Sequence, residues 1–97
     1  MRRRKIGGLA VYQDRFDYIA RQLKRMLDDM GEPPINFPTY SNFVKVSCKR
    51  LSRAEGADRD KIIEKLIEEW SRRKGANKKV LKRIAKLLPV WCELLYK

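Results

Sequence analysis

Apolar residues recur at steps of three and four over residues 12–30. Tyr12, Phe16, Ile19, Ala20, Leu23, Met26 or Leu27, and Met30 draw one continuous stripe, and Arg15, Asp17, Arg21, Lys24, Arg25 and Asp28 fill the other faces. The pattern predicts an amphipathic helix closed by Gly31, a residue that enters the left-handed region without a Cβ clash. Pro33, Pro34 and Pro38 forbid its resumption, so residues 31–38 read as a rigid extended connector whose Ile35 and Phe37 tuck against the core. Residues 39–53 carry two patterns at once. At helical period Tyr40, Phe43, Val44, Ser47, Cys48 and Leu51 share a face behind a Thr39 N-cap. At period two Val44, Val46 and Cys48 alternate with Lys45, Ser47 and Lys49, as in a strand. The fifteen-residue length and the cap favour the helix.

A break at residues 55–58 precedes a third helix, 59–74, with Asp58 as its N-cap and Ile62, Ile63, Leu66, Ile67 and Trp70 on its apolar side. Gly75 ends it. Asn77 can accept from an unpaired amide of the next turn, and so opens a fourth helix, 77–88, with Val80, Leu81, Ile84, Leu87 and Leu88 facing inward. Pro89 ends that helix and can begin a short last one, 90–96, with Trp91, Leu94 and Leu95 packing back. The expected fold is all-α: a compact bundle of four to five helices, residues 9–97, behind a basic flexible arm, residues 1–8. The strand pattern at 39–53 keeps open a ribbon-helix-helix arrangement with an N-terminal helical extension.

Ninety-seven residues, 43% hydrophobic, suffice for one core and not for two. Charge changes the picture more. Lys and Arg number 24 against 12 Asp and Glu, a formal net charge of +12. Such an excess repels itself in the compact state, which points to a polyanionic partner; nucleic acid comes first and an anionic membrane surface second. The chain has no histidine, and so lacks the commonest general base and metal ligand. Its two cysteines, Cys48 and Cys92, have no CxxC spacing, and they read as free core thiols of a reducing, cytoplasmic compartment; a disulfide requires that they meet in space. No apolar run approaches the roughly 20 residues that span a bilayer. Asp60, Glu64 and Glu68 stand four apart, a spacing open to acid–base work. With no nucleophile or Gly-rich loop beside them they read as a solvated face with local ion pairs, so neither enzymatic activity nor a cofactor is expected.

The basic residues are concentrated. Eight of the fifteen residues in 72–86 are cationic: Arg72, Arg73, Lys74, Lys78, Lys79, Lys82, Arg83 and Lys86. No acid occurs between Glu69 and Glu93. Arg2, Arg3, Arg4 and Lys5 add a second cluster before Gly7 and Gly8, suited to lying along phosphates. Ser71 as the small residue of a first helix, Gly75 as the turn glycine, and Leu81 and Ile84 as anchors of a second helix resemble the helix-turn-helix DNA-binding superfamily over about twenty residues, with Lys74 departing from the apolar residue the pattern prefers. That resemblance implies a recognition helix at 77–88 offering Lys78, Lys79, Lys82, Arg83 and Lys86 to a major groove, with Arg83 the first candidate for base reading.

Two other resemblances exist. VKVSCKRL followed by a helix and GANKKVLKRIA is similar to ribbon-helix-helix repressors, which implies a homodimer with Lys45, Ser47 and Lys49 at base edges. WSRRKGANKKVLKRIAKLL is similar to the late helices of death-fold adaptor domains, which implies a protein–protein module. A basic amphipathic helix with Trp and Tyr near its end also suits lipid headgroups, although its apolar stripe is explained as core. The partner expected is nucleic acid, DNA ahead of RNA.

Overall fold

The structure, a computed structural model, describes the backbone of residues 7–54 and 56–96 and the side chains from residue 13 onward within these, except that of Ala57. Its elements are α1 (Gly7–Asp29), a 3-10 turn (Pro34–Asn36), α2 (Phe37–Leu51), a second 3-10 turn (Gly56–Asp58), α3 (Arg59–Lys74) and α4 (Lys78–Tyr96). Among the described residues there is no strand. The protein is an all-α bundle, and α2 packs against each of the other three helices.

α1 begins earlier than its apolar stripe, at Gly7, and takes Gly7 and Gly8 into the helix. Its end is a Schellman motif: Gly31 sits at φ 77°, the Glu32 N–H donates to the Leu27 carbonyl at 2.9 Å, and the Gly31 N–H donates to the Asp28 carbonyl at 3.1 Å. The connector that follows is not extended. Pro34 opens a 3-10 turn and Pro38 lies in the first turn of α2, where a missing N–H costs nothing because it would have no intrahelical partner. Thr39 is therefore inside α2 and not its cap. Ile35, expected in the core, is 84% exposed, because the 3-10 turn rotates it outward, whereas Phe37 does pack against the core.

Of residues 39–53, those up to Leu51 are helix and Ser52 and Arg53 are turn. The face formed by Tyr40, Phe43, Val44, Ser47, Cys48 and Leu51 is buried, as the helical period requires. This removes the strand on which the ribbon-helix-helix arrangement rests: Ser47 is buried, and the Lys45 ammonium lies 4.5 Å from the Phe16 ring centroid. In α3 Leu66, Ile67 and Trp70 are buried, while Ile62 and Ile63 are half-buried at the edge. Asp58 occupies the N-cap position of α3, but its side chain makes no capping hydrogen bond.

Pro89 does not end α4, which runs through it to Tyr96. The helix survives because burial of Leu88, Trp91, Cys92 and Leu95 on both sides of the proline outweighs one lost hydrogen bond. Leu87, expected inside, is 37% exposed. The cysteines are not free. Cys48 on α2 and Cys92 on α4 form a disulfide with Cα atoms 4.8 Å apart, so the reading of two free thiols in a reducing compartment loses its premise. No helix among the described residues is long and apolar enough to cross a membrane.

Candidate nucleic-acid interface

The start of α4 is built by the turn before it. Gly75, at φ 66°, lets the chain reverse, and the Trp70 carbonyl accepts the N–H groups of both Gly75 and Ala76. Ala76 is buried. Asn77 then caps α4 as its chemistry predicts, its Oδ1 accepting the Lys79 N–H at 2.9 Å.

A polar chain ties this turn to α2 and to the connection between α1 and α2. The Asn77 N–H donates to the Tyr40 hydroxyl at 3.0 Å, and that hydroxyl donates to Glu32 Oε1 at 2.9 Å. Asn36 Nδ2 donates to the same carboxylate oxygen at 3.3 Å. Trp70 adds a second tie, its indole N–H donating to the Thr39 carbonyl at 3.2 Å while its ring meets Phe43 edge-on, centroids 5.7 Å apart. Burial raises the Tyr40 pKa above its ordinary 10.0; the Asn77 N–H pulls it back and the Glu32 carboxylate adds to the rise. The Tyr40–Asn77 and Trp70–Thr39 ties were not visible in the sequence, their partners being 37 and 31 residues apart.

With Val80, Leu81, Ile84 and Leu88 buried, the opposite side of α4 is fixed outward. Lys78, Lys79, Lys82, Arg83 and Lys86 are all exposed. At about 100° per residue they fall within an arc of about 140°, and at 1.5 Å per residue they cover about 12 Å of helix. Among the described residues Lys78 alone of the five forms a salt bridge, its Nζ lying 2.7 Å from Glu68 Oε1 on α3. Glu68 also sits 4.0 Å from Arg72, and Lys78 is the first cause of its lowered pKa. Lys79, Lys82, Arg83 and Lys86 form no salt bridge among the described residues.

The remaining cations sit on a different helix, and Arg72 shares Glu68 with Lys78 of the arc. Arg72, Arg73 and Lys74 form the last turn of α3, where positive charge complements the carbonyl end of the helix dipole. Arg73 pairs with Glu69 at 3.8 Å, and Arg72 and Arg73 line a surface depression of mixed charge with Arg50, Lys65 and the carboxylates of Glu64, Glu68 and Glu69. Lys78 and Lys79 stand at the opposite kind of end. No acid occupies the first turn of α4, so two ammonium groups face the positive pole of the helix dipole, against the local electrostatic preference. Arg2, Arg3, Arg4 and Lys5 lie outside the described residues.

Among the described residues no group of His, Cys, Asp or Glu is placed to hold a metal ion. Comparison with known protein families, curated proteins and solved structures finds no match to this chain.

Proposed function

We propose that the protein binds nucleic acid, double-stranded DNA by preference, through the outward arc of α4. The observation that carries this reading is the arc itself: five exposed cations within nine residues of one helix, four of them without a salt bridge among the described residues. A solvated face needs no such one-sided charge. At the N-terminus of α4 Glu68 offsets Lys78, whereas Lys79 has no salt bridge among the described residues, and a phosphate at that end would meet both ammonium groups together. The major groove, roughly 12 Å wide, admits one helix. Arg83 is the candidate base reader because a guanidinium grips guanine bidentately; the lysines neutralise phosphate. Arg72, Arg73 and Lys74 would add contacts beside the arc, and Arg2, Arg3, Arg4 and Lys5 would follow the backbone.

The reading has a numerical consequence. Neutralising about six phosphates makes affinity fall roughly a thousandfold between 50 and 200 mM salt. Replacing Lys78, Lys82 and Arg83 together with Gln should remove about half of that salt dependence and weaken a gel shift at least about tenfold. All three side chains are exposed, so circular dichroism should show the fold intact. An unchanged gel shift by the folded variant removes α4 from the interface.

A further inference from the structure

The arc of cations does not account for the apolar side chains beside it. Tyr18 is 52% exposed, Leu87 37% and Val90 66%, and all three line one groove of about 440 Å³ between α1 and α4. A DNA duplex offers little to such a floor. The walls have a regular construction. On α4 Arg83, Lys86, Leu87, Val90 and Leu94 follow at steps of three, four, seven and eleven; on α1 Tyr18, Gln22, Arg25 and Asp29 follow at four, seven and eleven. Each wall is thus one helix ridge about 16 Å long, and a facing helix of three turns has the same length. The walls carry three cations, Arg25, Arg83 and Lys86, against one carboxylate, Asp29.

We propose that the α1–α4 groove docks an amphipathic helix of a protein partner, with apolar anchors at three- and four-residue steps and carboxylates on both flanks. The anchors cover Tyr18, Leu87 and Val90; the carboxylates pair with Arg25, Arg83 and Lys86. The inference is independent of DNA binding but meets it at two residues. Arg83 and Lys86 belong both to the groove wall and to the outward arc, so an acidic helix seated there competes with phosphate for them. A partner of this chemistry would release the protein from DNA.

The test uses the full chain and a synthetic peptide of about 16 residues, with Leu anchors at helical spacing and Glu on the flanks. A second peptide has the same composition in scrambled order. The expected result is saturable binding of the patterned peptide by fluorescence anisotropy, at least about tenfold tighter than the scrambled one, with amide shifts centred on Tyr18, Leu87 and Val90. Tyr18→Gln with Val90→Gln, both at exposed positions and both without a change of charge, should abolish that preference while leaving a duplex gel shift within about twofold. Equal binding of the two peptides overturns the proposal, as does a preference that the double variant retains. Self-association that the double variant dissolves would assign the groove to a second copy of the chain and also overturn it. Loss of duplex binding alone, with peptide selectivity intact, would count against the DNA reading and not against the groove.

Discussion

Ser47 lies on the inward face of α2 with its hydroxyl cut off from solvent and without a hydrogen-bond partner among the described residues. A buried hydroxyl left unpaired costs free energy that an apolar group of similar shape does not. Ser47→Ala should therefore leave stability unchanged or raise it by about 1 kcal/mol, measured as a shifted urea midpoint at constant slope. Tyr40 is the opposite case, because its hydroxyl both accepts and donates. Tyr40→Phe leaves the Asn77 N–H without its acceptor and should cost about 2 kcal/mol. The pH dependence follows from the raised pKa: the fold holds the phenol's proton more tightly than the unfolded chain does. Tyr40's contribution is then complete below about pH 10 and lost as pH rises through the folded-state value. The stability gap between the native chain and Tyr40→Phe should stay level up to about pH 10 and narrow above it; a gap that stays level above that pH would show that Tyr40 does not titrate differently in the fold.

At the scale of elements, α4 makes the sharpest prediction. Proline inside a helix removes a hydrogen bond and crowds the preceding turn, whereas proline at the first position of a new helix does neither. Because α4 is continuous through Pro89, Pro89→Ala should stabilise the protein by about 1 to 3 kcal/mol in thermal or urea unfolding. A break at residue 89 would make the same substitution neutral or harmful. The pattern of apolar positions contained the period of every helix, the ends of α3, and the cap at Asn77, since all of these depend on neighbours within a turn. It misplaced what depends on distant packing. Pro89 is a local helix breaker that tertiary burial accommodates; Pro38 fits because α2 starts just before it, and Ile35 is a hydrophobe that the 3-10 turn sends outward. The cations of 72–86 were legible as a cluster. Their division into a dipole-complementing turn on α3 and an outward arc on α4 was not, because it requires knowing which side of α4 Leu81 and Ile84 bury. The Glu68–Lys78 pair was equally hidden, spanning two helices and the turn between them.

For the whole molecule, two ties fix α4 to α2: the Asn77–Tyr40 hydrogen bond at its start and the Cys48–Cys92 disulfide in its second half. The cross-link closes a long loop, so reduction should lower stability by about 2 to 4 kcal/mol, read by urea unfolding with and without dithiothreitol. Identical midpoints would mean that the two thiols are not joined in solution. The same bond encloses the α2–α3 connection, including exposed Ser52, Arg53 and Gly56. A protease that nicks this connection frees no fragment. Both pieces remain covalently attached and should migrate together in electrophoresis until a reductant parts them, and a nicked molecule can keep α4 seated on α2.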